Sequence, residues 1–318
     1  ILWYNYYNME KRYFHFSEYL KSKFGQSVRK ICIDGGFTCP NRDGRVGRGG
    51  CIYCNNTGFN PNLRQERLSV KEQVLQGIEY MKKRYGARKF IVYFQPFSNT
   101  YADLETLKNL YSDAVSHEDV VGLAVGTRPD CVPNEILDYL QSYTKKYEVW
   151  IEYGLQSSHD RTLFLINRGH TFSQFVDAIE RTKSRDIKIC VHVILGLPGE
   201  SEQDMMETAM ALSRMKIDGI KIHNLHVVKG TLLEKMFLNG ECSILTLEEY
   251  VRLVCNFLEL LPPEVVVQRL CGDAPEDLLI APQWCRNKSR VISEIDKEFI
   301  RRNSWQGSQL NRVSINTG

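Results

Sequence analysis

Cys39, Cys51 and Cys54 stand in the spacing C-x11-C-x2-C, on a glycine-rich loop that also carries Arg42, Arg45 and Arg48. Three thiolates on one loop can hold three irons of a [4Fe–4S] cluster and leave the fourth iron open to a ligand. Soft thiolates also suit zinc, although a structural zinc site wants a fourth protein ligand and no obvious Cys or His follows nearby. Redox or structural thiols are the third reading. The glycines would let the loop wrap closely and offer backbone N–H groups to a cluster, and the arginines would set a positive potential beside it.

Such a site must be held by rigid elements, and the chain supplies them in alternation. Short apolar or β-branched runs at residues 30–34, 89–95, 120–127, 148–154, 187–195, 219–224 and 265–270 read as buried strands. Between them, Ser69 with Glu72 and Thr246 with Glu249 have capping-box spacing, and Asp103, Pro133 and Ser201 also sit where helices begin. Strand–helix alternation with few hairpin signals predicts a parallel sheet, open or closed into a barrel. The segment before Val28, with Tyr13, Phe14, Phe16, Tyr19 and Phe24, predicts an N-terminal helix against one end.

In parallel α/β folds, ligand chemistry gathers at the C-terminal strand ends. Here those ends carry unusual residues in series, at 34–39, 95–100, 126–130, 152–157, 196–200 and 223–226. Each alone is an ordinary turn; together they predict one shared mouth. Phe94, Gln95, Asn99, Tyr101, His223 and His226 are candidates for its substrate side, against the plainer reading of structural residues.

Composition bounds the rest. With 318 residues, 43% hydrophobic and 25% charged, the chain can bury a large core, and its length suits one barrel with extensions. No stretch approaches the ~18 apolar residues of a membrane span, which excludes integral membrane function. The opening ILWYNYYN lacks the parts of a targeting signal. Seven further cysteines (Cys32, Cys131, Cys190, Cys242, Cys255, Cys271, Cys285) are scattered as expected of reduced thiols, and the cytoplasm is the expected compartment. After Cys285, Arg286, Lys288, Arg290, Lys297, Arg301, Arg302 and Arg312 outnumber Glu294, Asp296 and Glu298, a basic end that either meets a polyanion or is simply solvated.

The cysteine triad, the segment GTRPD at 126–130, EYGLQS at 152–157 with INRGH at 166–170, and HVILGLPGE at 192–200 together resemble the radical S-adenosylmethionine (SAM) superfamily. The segments DGGFTCPNRDG, GRGGCIYC, YFQPFSNTYADL and QRLCGDAP resemble its stand-alone bacterial branch related to the Elongator catalytic subunit. The likeness runs from residue 11 to about residue 300. The superfamily's commonest spacing is C-x3-C-x2-C; the wider first gap here matches the Elongator-like branch.

The resemblance implies an incomplete parallel (β/α)6-type barrel at 28–270, between a helical extension at 1–27 and a basic extension at 271–318. It implies that SAM chelates the open iron and, on one-electron reduction, yields methionine and a 5′-deoxyadenosyl radical. Thr127 and Arg128 would contact SAM, and Glu152 and Gln156 would flank it. Arg168 would fork onto its carboxylate, and Leu197 would pack on the adenine. The resemblance also implies a tRNA substrate modified at the C5 side chain of its wobble uridine, and a reducing donor of flavodoxin or ferredoxin type. It leaves no room in this length for the acetyltransferase domain of the Elongator subunit, so remodelling of an existing substituent, carboxymethylaminomethyl to aminomethyl, is the expected task. Two rival readings stand beside it: radical chemistry on a small molecule or peptide, and a zinc-stabilised, non-catalytic RNA-binding barrel.

Overall fold

The computed structural model describes residues 11–55 and 67–310; the aromatic opening ILWYNYYN and Arg312 lie outside the described residues. In chain order come α1 (Phe16–Phe24), β1 (Val28–Ile33), α2 (Val70–Tyr85), β2 (Lys89–Phe94), α3 (Leu104–Ala114) and β3 (Val120–Thr127). Next are α4 (Asn134–Thr144), β4 (Glu148–Gln156), α5 (Asp160–Leu165), α6 (Phe172–Thr182), β5 (Lys188–Leu195), α7 (Glu202–Ser213) and β6 (Gly219–Asn224). The chain ends with β7 (Val227–Val228), α8 (Leu232–Leu238), α9 (Leu247–Glu259), β8 (Val266–Arg269), β9 (Leu279–Ala281) and α10 (Lys288–Arg301).

β1 to β6 pair in sequence order, β8 adds a seventh strand beside β6, and every pair is parallel. The sheet is parallel, as the sequence pattern predicts, and curls into an incomplete barrel, as the resemblance implies. The expected helix starts are real. Ser69, Ser201 and Thr246 form capping boxes with the third residue after each, and Asp103 accepts the Thr106 N–H at 2.9 Å. Strand limits move by a residue or two; β4 runs on to Gln156, beyond the expected end at Gly154.

Alternate residues of each strand face opposite ways, and the two faces meet different partners. The outer face packs on the helices in one continuous core that includes Leu123, Val125, Ile151, Val191, Val193 and Ile222. The inner face is apolar only at one end, where Val28, Ile91, Trp150, Cys190 and Val266 pack with Leu20 of α1. Phe16 and Tyr19 meet the Trp150 ring edge-on at 5.6 and 5.8 Å, pairs worth about 0.5–1.5 kcal/mol each beyond the area they bury. The predicted N-terminal helix is therefore a plug for the barrel floor. Above that plug the lumen turns polar.

The last part of the chain docks on the barrel. Val291, Ile295 and Phe299 of α10 are fully buried in the same core as α9, and β9 pairs antiparallel with β7. Its charges are used internally: Arg301 and Arg302 both bind Glu298, Arg302 also reaches Glu259, and Lys288 pairs with Asp273. No helix among the described residues is long and apolar enough to cross a membrane.

Candidate metal centre and cofactor cavity

The loop after β1 is held by its own asparagine. Asn41 is fully buried; its Nδ2 donates to the Asn167 carbonyl at 2.5 Å and lies 3.8 Å from the Cys51 Sγ. Asn167 returns the bond, its Nδ2 donating to the Gly50 carbonyl at 2.8 Å, and the Ile52 N–H donates to Ile166 at 3.1 Å. The cysteine loop is thus stitched to the segment following β4, which the sequence joined to it only by motif. Gly47 is required there, since a Cβ would come within 2.3 Å of the Asn41 Oδ1.

Arg168 comes from that stitched segment. Its buried guanidinium donates through Nη2 and Nε to the Gly154 carbonyl at 2.5 and 3.1 Å, and Nη1 reaches the Cys51 Sγ at 3.6 Å. Space for it exists because residue 154 is glycine: a Cβ would sit 2.6 Å from Nη2. The strand bulges past this point. Its register with β5 shifts between Gly154 and Gln156, and Gln156 takes a φ of 81°, a left-handed conformation costly for a residue with a side chain. Phe97, across the cavity, also has a positive φ, of 66°.

One cavity of about 160 Å³ is lined by Cys39, Cys51, Cys54, Thr127, Arg128, Glu152, Gln156 and Arg168, together with Tyr53, Tyr93, Gln95, Phe97 and His192. The structure therefore brings together Gln95, of the six substrate-side candidates, and every residue assigned to the cluster or to SAM except Leu197. That side chain is buried behind the wall, in an apolar cluster with Ile52, Leu163, Ile166, Leu225 and Leu233. Arg128 faces the cavity with its charge already satisfied: Nε and Nη2 grip Asp130 at 2.9 and 2.8 Å, and Nη1 donates to the Arg168 carbonyl at 2.6 Å. The Thr127 hydroxyl pairs with Thr100 at 2.6 Å. Asn99 is a scaffold residue, its Nδ2 donating to the carbonyls of Phe94 and Gly126. His223 and His226 line a second cavity that shares Tyr53, Gln156 and His192 with the first.

Glu152 anchors a network that sequence reasoning missed. Its fully buried carboxylate accepts from Lys30 at 2.7 Å, from His192 Nε2 at 2.8 Å and from Lys221. Burial alone would raise its pKa, but Lys221, Lys30 and His192 outweigh that and hold it well below the usual carboxylate range. Burial lowers Lys221 to about 8, with Glu152 opposing, and lowers His192 to about 4. The signal was legible in principle: VRKICI and GIKIHN each place a lysine at the inward position of an apolar strand.

The residues around the three cysteines suit a polynuclear centre better than a single ion. Among the described residues, the trios of ligating atoms that lie within 4.8 Å of one another do not include the three sulfurs. A tetrahedral zinc ion with bonds of about 2.3 Å would draw thiolates to about 3.8 Å. Burial, then Cys51, raises the Cys54 thiol to about 12 against the pull of Arg42, so its thiolate form needs the charge of a bound metal centre. Arg42, with Nη1 3.9 Å from the Cys54 Sγ, and Arg168 on Cys51 supply donors to the sulfur ligands of an anionic cluster.

Comparison with known proteins agrees with this geometry. The model described as the radical SAM superfamily matches residues 41–212, and that of the radical SAM C-terminal domain matches residues 217–301. The chain belongs to the radical SAM superfamily and is an enzyme of that class, whose cofactors are a [4Fe–4S] cluster and SAM. Among its relatives, YtqA of Bacillus subtilis (strain 168) is 41% identical over 97% of this chain and 96% of its own length. A tRNA uridine(34) acetyltransferase of Dehalococcoides mccartyi (strain CBDB1) is 32% identical over 49% of this chain and 34% of its own. Among solved structures, Elp3 of Methanocaldococcus infernus shares the fold with a TM-score of 0.64 at 18% identity, covering 85% of this chain and 63% of that one.

Proposed function

We propose that this enzyme remodels the C5 substituent of the wobble uridine of tRNA, converting a carboxymethylaminomethyl group toward aminomethyl. The observation that carries the reading is the likeness of half the chain to a tRNA uridine(34) acetyltransferase. The exposed Arg45 and Arg48 of the cysteine loop support it, because they offer charge to phosphates. The paired Arg301 and Arg302 offer much less. When bound, the cluster and SAM supply a 5′-deoxyadenosyl radical, which takes a hydrogen atom from an unactivated C–H bond.

The protein's own residues do the rest. Cys39, Cys51 and Cys54 hold the cluster, and Arg168 and Asn41 fix the Cys51 sulfur. Thr127, Arg128 and Gln156 line the cavity that SAM would fill. An anticodon-loop base can be splayed into such a mouth and stacked on aromatic side chains. A C–H bond next to nitrogen resists acid–base chemistry yet gives a stabilised radical. Loss of one further electron from that radical would give an imine, which water splits into the aminomethyl group and glyoxylate, with SAM as the two-electron oxidant overall, ending as methionine and 5′-deoxyadenosine. The electron comes from a donor of flavodoxin or ferredoxin type, and the ten free thiols support a reducing, cytoplasmic setting. Nucleoside mass profiling of bulk tRNA tests the proposal. A strain lacking the protein should accumulate carboxymethylaminomethyluridine and lose its aminomethyl products; an unchanged wobble profile would move the substrate to a small molecule or peptide.

A further inference from the structure

The polar layer above the barrel floor is unbalanced in charge. Around the single carboxylate of Glu152 stand Lys30 of β1 and Lys221 of β6, and Arg269 of β8 adds a third cation beside Lys221. Lys30 and Lys221 both bind it, and both also sit over the Tyr93 ring, at 4.9 and 4.2 Å. Arg269 is the register partner of Lys221, across a bulge that also turns the Gln268 side chain inward, where its Oε1 accepts from Lys30 at 2.6 Å. Arg269 is half-buried and has no carboxylate partner among the described residues. Other acids of the barrel are engaged elsewhere: Glu148 with Lys23 at the plugged end, Asp34 with the Gly36 N–H, and Asp273 with Lys288.

Two further features mark this layer as a site. The Gln268 Nε2 and the His223 Nε2 are buried with no hydrogen-bond partner, so polar groups point into the space without acceptors or donors of their own. Cys32, two residues beyond Lys30 on the same face of β1, is exposed. Solvent therefore reaches this face of β1 at Cys32.

We infer that Lys30, Lys221 and Arg269 form an anion subsite in the lumen, which recognises a carboxylate on the substrate's substituent. The inference rests on the proposed reading for the carrier of that carboxylate, since the carboxymethylaminomethyl group ends in one. The cationic lumen itself follows from the fold alone. Buried cations in excess over acids are costly until an anion joins them, and that cost gives selectivity for a charged substituent over its neutral analogue.

Two arms of one experiment separate the inference from the reading beneath it. In the first, Cys32 of the cluster-loaded enzyme is alkylated with iodoacetate or iodoacetamide and quantified by peptide mass spectrometry. The ratio of the two rates cancels any change in the thiol itself and reports the local potential. Arg269→Gln should lower the iodoacetate preference roughly threefold or more, and Arg269→Lys should restore it. In the second, turnover is compared for tRNA bearing the carboxymethylaminomethyl group and tRNA bearing its carboxamide. Arg269→Gln should raise KM for the carboxylate substrate at least roughly tenfold relative to the carboxamide. An unchanged Cys32 ratio, or equal losses on both tRNAs, overturns the subsite. If wild-type enzyme turns over neither tRNA while the Cys32 ratio still falls, the uridine reading fails and the anion subsite stands.

Discussion

Replacing Glu152 by Gln keeps the shape of the side chain and removes the one negative charge of the lumen layer. Lys30 at 2.7 Å and Lys221 are then left buried together with no counter-ion, and His192 loses the acceptor it holds at 2.8 Å. At an effective dielectric of about 20, each close ion pair carries about 4 kcal/mol of attraction, most of it offset by desolvation that has already been met in the folded chain. Removing one partner exposes that desolvation, so E152Q should cost about 3–5 kcal/mol of folding stability. Urea unfolding of the cluster-loaded protein at pH 7 reads it directly. Lys221→Met in the E152Q background should then recover part of the loss, because one uncompensated cation is gone. The double-mutant cycle should show a coupling of about 1–3 kcal/mol. An E152Q variant within about 1 kcal/mol of wild type, or strict additivity with Lys221→Met, would refute the network as the organiser of the lumen.

Three further outcomes follow from the same geometry. Cys39→Ala, Cys51→Ala and Cys54→Ala should each abolish iron loading and SAM cleavage. Cys255→Ala, in a fully buried site against Ile295, should cost on the order of 1 kcal/mol and keep about four irons per chain, as iron and sulfide analysis would show. Arg168→Gln removes a cation 3.6 Å from the Cys51 sulfur, and should lower the midpoint potential of the reconstituted cluster by roughly 60–130 mV in an EPR-monitored titration. A potential that does not fall would show that Arg168 acts only on Gly154. Burial, then Lys221, holds His192 at about 4 rather than its ordinary 6.5, so the unfolded chain binds that proton first as the pH falls. Stability should drop by up to roughly 3 kcal/mol between pH 6.5 and 4, and His192→Asn should flatten that part of the urea-derived pH profile.

Much of this molecule is decided locally and is therefore written along the chain. Strand runs and caps such as Ser69–Glu72 and Thr246–Glu249 depend on neighbours a few residues away, so alternation and spacing suffice to predict a parallel sheet, and the resemblance adds that it is an incomplete barrel. The cysteine triad is likewise local, since three ligands on one loop need no distant partner to be recognised. Four of the six strand-end segments share the first cavity, and eight of the nine residues assigned to the cluster or to SAM line it, while the segment at 223–226 lines the second. What the side chains do there was not legible, because hydrogen bonds and ion pairs join residues far apart in sequence. Arg168 is turned onto Gly154 and Cys51, 14 and 117 positions away, and Arg128 is spent on Asp130 and the Arg168 carbonyl. Leu197 reads as a cavity residue from its motif, yet packing carries it behind Ile52 and Ile166. The basic end reads as either a polyanion surface or a solvated end, and only folding shows that Arg302 is paired with Glu298 and Glu259. Only folding of the sheet places Lys30, Glu152, Lys221 and Arg269 on one inner layer, because helices separate their strands along the chain: Lys221 and Arg269 meet on the paired strands β6 and β8, while Lys30 and Lys221 reach Glu152 across the lumen.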